Sequence, residues 1–221
     1  MLNLQEKDLV GGGTQRSVYL HPLDRTKLVK VLKPDADAPV ENTFGKITEW
    51  LIPSIRIRQI RKEYEEYLRI MLAHRNAHLH LKITHMFGFV ATNKGLGCLT
   101  ERVMGADGSI GETLTQKISQ KRLMQTDVDL LNDTISWMYK HHIRASDMNA
   151  NNFVFGCRDN GTGCGPLECV LVDGFGDIHA IPVRTMARWM NRLGLDDSCR
   201  RLARRNSGLI WNGKARKFSM L

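Results

Sequence analysis

Apolar and polar residues alternate at the start of the chain. "LVGGGTQRSVYLHP" leads a glycine cluster into a β-branched and aromatic run, and "TKLVKVLKP" alternates apolar with basic residues until Pro34 stops it. A period of two sends successive side chains to opposite faces, so these stretches predict two strands joined by a turn around His21–Arg25. From Ser54, an N-cap after Pro53, "SIRIRQIRKEYEEYLRIMLA" has helical spacing, with Ile57, Ile60, Tyr64, Tyr67, Leu68 and Met71 as its apolar stripe. "MFGFVAT" and "GCLTERV", parted by Asn93–Gly95, predict a second hairpin.

Beyond a glycine-containing joint at Met104–Gly111 the pattern turns helical. "TQKISQKRLMQTDVDLLNDTISWMYKHH" places Val128, Leu131, Ile135 and Met138 on one helix face. "ASDMNANNFVF" (145–155) then ends in a strand from Phe153 to Phe155, followed by the turn "GCRDNGTGCG" and the strand "ECVLVDGFGD". Two short basic helices are expected near Arg184–Leu193 and Asp197–Arg205. A β-rich part with one helix, then an α-rich part with one hairpin, predicts an α+β protein of two lobes, 1–104 and 105–221, with a ligand cleft between them.

Composition narrows this picture only a little. A chain of 221 residues can bury one sizeable core or two small ones, and 42% hydrophobic with 25% charged residues is ordinary for a soluble globular protein. No apolar run is long enough to predict a transmembrane segment, and "MLNLQEKDLV" lacks the pattern of a signal peptide. Five cysteines, an odd number, suggest reduced thiols in a cytoplasm. The net charge of +9 is concentrated in "RRLARR" (200–205) and "KARK" (214–217). Such a basic C-terminal tail suits contact with a polyanion, such as nucleic acid or an anionic surface, and equally a solvated helix face.

Four motifs carry the candidate chemistry. In "GGGTQRSV", Gly11, Gly13 and Val18 stand at the spacing of G-x-G-x-x-G-x-V, whose backbone N–H groups approach a triphosphate; Arg16 replaces the third glycine. A guanidinium there either clamps phosphate or blocks the site. Lys30 lies in the apolar strand "LVKVLK", and Glu63 or Glu66 in the next helix is placed to fix it. Asp147 and Asn152 match D-x-x-x-x-N, a carboxylate to accept a hydroxyl proton and an amide oxygen for a metal. Asp173 ends the strand of "VLVDGFGD", where a carboxylate needs a cation or hydrogen bonds to meet it.

In this order the motifs resemble the protein-kinase-like fold. More narrowly, "GTQRSVYLHP", "KLVKVLK", "RKEYEEY" and "LVDGFGD" resemble the bacterial YrbL family, the PhoP regulatory network proteins. The resemblance implies an ATP- and Mg²⁺-dependent phosphotransferase acting on an unidentified protein or small molecule. Lys30 would contact the α/β-phosphates and Glu63 pair with it. Asp147 would be the catalytic base, and Asn152 and Asp173 would hold Mg²⁺. The nucleotide would lie against Gly11, Gly13, Arg16 and Val18, with backbone around Glu101–Val103 meeting the adenine.

Several departures keep other functions in view. Ala145–Ser146 replaces the usual His-Arg before the catalytic Asp, D-G-F-G replaces D-F-G, and no A-P-E follows. A nucleotide-binding pseudokinase that regulates a partner is one alternative. A basic nucleic-acid-binding module is another, though no binding motif or aromatic platform supports it. Cys157, Cys164, Cys169 and His179 lack the C-x-x-C pair of a zinc site, which favours a glycine-rich turn with incidental thiols. His141–His142 close a helix, where they would meet its dipole and terminal carbonyls.

Overall fold

The computed structural model describes residues 1–13, 16–33, 55–74, 80–177 and 183–221. The tip of the glycine-rich loop (Thr14, Gln15), the stop at Pro34, the cap at Pro53–Ser54 and His179 therefore lie outside the described residues. The chain divides into two compact units, Met1–Arg58 with His85–Arg102, and Gln59–Thr84 with Val103–Leu221.

The first unit is built on β1 (Leu9–Gly12), β2 (Arg16–Leu20), β3 (Lys27–Leu32), β4 (Met86–Thr92) and β5 (Gly95–Glu101). They form one antiparallel sheet in the order β1-β2-β3-β5-β4. Both expected hairpins are present. The turn between β2 and β3 is fixed by His21, whose Nδ1 accepts from the backbone N–H groups of Leu23 and Asp24 at 3.2 and 2.9 Å. Leu4, Tyr19, Val29 and Val31 form the core under the sheet, with Leu2, Val90 and Leu99 against them.

Helix α1 (Ile55–Ala73) follows the expected boundaries, but its buried face is not the expected stripe. Glu63, Glu66 and Ile70 are buried, while Leu68 and Met71 are exposed. Two carboxylates lie inward because cations and amides meet them there. Glu66 accepts from Arg69 Nη2 at 2.6 Å and from the Arg144 N–H at 2.8 Å, and Glu63 accepts from Gln59 Nε2 at 3.0 Å. Hydrophobic periodicity carries no signal for a face assembled from ion pairs.

The rest of the second unit comprises β6 (Glu112–Thr113), α2 (Leu114–Ser119), α3 (Gln125–Lys140), β7 (Phe153–Gly156) and β8 (Glu168–Leu171). Thr113 starts α2 with a capping box: its Oγ1 accepts from the Gln116 N–H while Gln116 Oε1 accepts from its own N–H. The expected face of α3 holds: Val128, Leu131, Ile135 and Met138 are fully buried. Strands β6, β7 and β8 make an antiparallel sheet, and Thr134 Oγ1 on α3 donates to the Cys169 carbonyl at 2.6 Å.

The C-terminal region departs from expectation. After α4 (Val183–Met186), a single helix α5 (Arg188–Arg205) replaces the two short helices, running through Gly194. A hairpin of β9 (Leu209–Asn212) and β10 (Lys217–Met220) follows, which the sequence reading assigned to a tail. Leu209 and Phe218 are buried. Asn132 on α3 donates to the Phe218 carbonyl and accepts its N–H, at 2.9 and 2.6 Å. Part of the basic charge is partnered at the surface: Arg200 pairs with Asp196, Arg201 with Asp197, and Arg216 lies over the Tyr139 ring.

The cysteines also depart from the expected set of free thiols. Cys157 and Cys164 are brought together across the glycine-rich turn, their Cα atoms 5.5 Å apart, within the range a disulfide requires. Cys98, Cys169 and Cys199 are buried cysteines outside this pair, and no cluster of metal-ligating side chains is present among the described residues. No described helix is long and apolar enough to cross a membrane.

His141 has a partner other than the helix end. Its Nδ1 lies 2.8 Å from His74 Nε2, and its ring packs on Trp137. Burial, followed by the charges of His74, Lys140 and His142, holds its pKa below the usual 6.5. Burial and the charges of Arg188, Arg192 and Arg69 lower His142 as well. Groups that resist protonation in the fold bind more protons once unfolded, so stability is full above pH 6.5 and declines as pH falls below it. The thermal midpoint should therefore drop between pH 7.5 and 5.5, and His141→Asn should flatten that slope; an unchanged slope would contradict the assignment.

Candidate functional site

The first unit carries the expected nucleotide-binding residues. Gly11 pairs with Val18 between β1 and β2, and Val18 pairs in turn with Lys30 between β2 and β3. The Arg16 carbonyl accepts from the Gly13 N–H at 2.9 Å, which closes the described base of the glycine-rich turn. A Cβ at Gly12 would stand 2.8 Å from that same carbonyl, so this glycine permits the close approach. Arg16 and Lys30 are both buried.

Part of the segment expected to meet adenine is already engaged within its own unit. The Glu101 N–H donates to the His85 carbonyl at 3.0 Å, and Glu101 Oε2 accepts from the His85 N–H. In the second unit the Val103 carbonyl accepts from the Gly111 N–H at 3.0 Å, and the Val103 side chain packs with Val154 and Val170.

Asp147, Asn152 and Asp173 come together in the second unit. The loop carrying Asp147 joins α3 to a single 3₁₀ turn, Ala150–Asn152, whose cap Asn149 accepts from the Asn151 N–H. Asn152 Nδ2 donates to the Asp147 carbonyl at 2.9 Å, and the Asn152 carbonyl accepts from the Val172 N–H at 2.8 Å. The Asp147 N–H reaches the Gly174 carbonyl at 3.3 Å. These bonds draw the residue after Asp173 against the loop of Asp147. With Nδ2 so engaged, Asn152 is left with its amide oxygen for another partner.

Donors that orient Asp173 include the Gly174 N–H, 2.8 Å from its Oδ1, and Gln59 Nε2, 3.2 Å from the same oxygen. Gln59 thus holds Glu63 and Asp173 at once. Glu66, the other candidate partner for Lys30, is engaged with Arg69 and Arg144 inside the second unit. An amide oxygen and a carboxylate are hard donors of the kind Mg²⁺ takes, and a site of two protein ligands suits an ion that keeps waters and phosphate oxygens.

The family model of the PhoP regulatory network protein YrbL matches the chain over residues 2–207. The protein belongs to this family. No curated protein matches it. Among solved structures it is similar to the apo form of PpkA-294, at 15% identity and a TM-score of 0.45, covering 90% of this chain and 62% of that one. It is also similar to a double mutant of the Mycobacterium tuberculosis PknI kinase domain, at 17% identity and the same TM-score, covering 88% and 72%. The chain thus spans about three-fifths of the PpkA structure's length. For this YrbL family member the order of glycine-rich hairpin, lysine strand, long helix, hairpin and Asp147 loop is the order its motifs imply, while Asp173, expected to end a strand, lies in a bend two residues beyond β8.

Three residues at or beside the site escaped the sequence reading. Gln59 looked like one polar position of an amphipathic helix. Gly174 has a φ of +77°, and a Cβ there would lie 2.7 Å from Asn152 Nδ2; the extra glycine of D-G-F-G was its signal. Arg184, read as part of a basic helix, is buried.

Proposed function

We propose that the protein is an ATP- and Mg²⁺-dependent phosphotransferase. The observation that carries this reading is the convergence of Asp147, Asn152 and Asp173 on one pair of hydrogen-bonded loops. Asn152 Oδ1 and the Asp173 carboxylate would hold the metal, and Mg²⁺ bound there would neutralise phosphate charge. Asp147 would take the proton of the acceptor hydroxyl as its oxygen attacks the γ-phosphorus and ADP leaves. Lys30, paired with Glu63, would contact the α/β-phosphates, with Gly11, Gly13, Arg16 and Val18 at the nucleotide and Glu101–Val103 at its base. The acceptor would be a protein or a small molecule.

A purely regulatory nucleotide-binding protein is the second reading, favoured by Ala145–Ser146 in place of His-Arg. Binding and transfer separate the two. Mg²⁺–ATP at about 100 times its dissociation constant should stabilise the fold by roughly 2.7 kcal/mol, a melting shift of roughly 5–10 °C. Asp173→Asn should remove most of the Mg²⁺-dependent part of that shift. Asp147→Asn should keep the shift while transfer of labelled phosphate to itself or to an extract falls at least about 100-fold. Binding without any transfer by the wild type would establish the regulatory reading, and no Mg²⁺–ATP shift at all would refute both.

A further inference from the structure

The stretch before Asp147 is held from below by groups that the kinase motifs do not include. Asn191 Nδ2 on α5 donates to the Ile143 carbonyl at 3.1 Å, and the Arg184 guanidinium donates to the Ala145 carbonyl. Arg184 Nη2 also donates to Ser198 Oγ at 2.8 Å, and the Arg184 N–H donates to Asp177 Oδ2 at 3.0 Å. From the other side, Ser146 Oγ donates to the Gly176 carbonyl at 2.9 Å and the Gly176 N–H to the Arg144 carbonyl at 2.7 Å. The loop of Asp147 is thereby tied both to the segment after Asp173 and to the C-terminal helix.

Arg184 is only 5% exposed. Burying a guanidinium is costly, and an apolar side chain of similar length would fill the space at less expense. What the arginine adds is a planar fork that reaches a loop carbonyl and a helix hydroxyl together. Gly194 makes room for it: a Cβ there would stand 2.7 Å from Arg184 Nε.

Regulated kinases order the equivalent region by phosphorylating an activation loop, which creates new pairs with arginine. Here residues 174–184 contain no Ser, Thr or Tyr, and the first hydroxyl after Asp173 is that of Thr185, beside Arg184. We infer that Arg184 is a positioning residue for Asp147, holding its loop in working geometry permanently and without phosphorylation. This rests on the phosphotransferase reading.

The test uses the full chain with Arg184→Lys and, independently, Gly194→Ala, which drives a methyl group into the guanidinium. Circular-dichroism melts establish that both variants fold. Each should lower kcat about 10- to 100-fold while KM for ATP stays within about twofold, because the loss is of alignment and not of nucleotide contacts. Amide hydrogen exchange over residues 143–147 should accelerate at least about tenfold in both. Phosphatase treatment of the wild type should leave its rate unchanged. Unchanged exchange in folded Arg184→Lys, or a phosphatase-sensitive rate, would overturn the inference. If the wild type transfers nothing, the phosphotransferase reading falls, while the exchange experiment still decides whether Arg184 orders the loop.

Discussion

A chain ending at residue 205 should lose most or all of its cooperative fold. The motifs all end by Asp177, which suggests instead that residues 206–221 are dispensable for nucleotide binding; the buried side chains of the β9–β10 hairpin argue against that expectation. Truncation removes Phe218 and Leu209, each less than 5% exposed. Removing buried side chains of this size costs about 2–5 kcal/mol apiece. It also leaves both ends of the Asn132 amide unpaired on α3, where each buried group costs about 1–3 kcal/mol. Trp211 Nε1, which donates to Asp196 at 2.8 Å, is lost as well. The sum is comparable with the roughly 5–15 kcal/mol that holds an ordinary domain together. Phe218→Ala is the milder form, expected to lower stability by about 3–5 kcal/mol and the melting midpoint by roughly 10 °C. A truncated protein with an unaltered melt would show that the hairpin is an appendage.

Local pattern carried the strands and helices well where one face is buried by apolar side chains. The alternation of "KLVKVLK" and the spacing of Val128, Leu131, Ile135 and Met138 translate directly into β3 and the core face of α3. It failed where burial is paid in hydrogen bonds and charge. The inward face of α1 is Glu63, Glu66 and Ile70, intelligible only once Arg69, Arg144 and Gln59 are seen around it. Arg184 failed for the same reason, since an arginine in a basic run reads as solvated. The short β9–β10 hairpin is half polar and contains "KARK", so charge hid its anchoring residues, Leu209 and Phe218. The spacing of Asp147, Asn152 and Asp173 singled them out as a set, and hydrogen bonds between their loops bring them together. What spacing alone does not convey is the backbone that joins the pieces, and Gly174 is the centre of that joint.

Gly174→Ala should disable the proposed site without replacing any of its functional side chains. Gly174 has a φ of +77°, so alanine there carries a backbone strain of about 1–2 kcal/mol. Its methyl group would also meet the Asp147 carbonyl and come within 2.7 Å of Asn152 Nδ2. These two atoms form the hydrogen bond that orients the Asn152 amide oxygen, so relieving the clash pulls the proposed base and metal ligand apart. Gly161→Ala separates strain from clash: Gly161 has a φ of +84° with nothing within 4 Å of an added Cβ. Both variants should melt lower, by roughly 2–8 °C for the strain alone. Only Gly174→Ala should lose the Mg²⁺-dependent share of the ATP-induced shift, together with at least about 100-fold in phosphoryl transfer. Gly161→Ala should retain both. A Gly174→Ala protein that still responds to Mg²⁺–ATP like the wild type would mean that Asn152 does not bind the metal, and that the loop before β7 is a polar turn with no part in the chemistry.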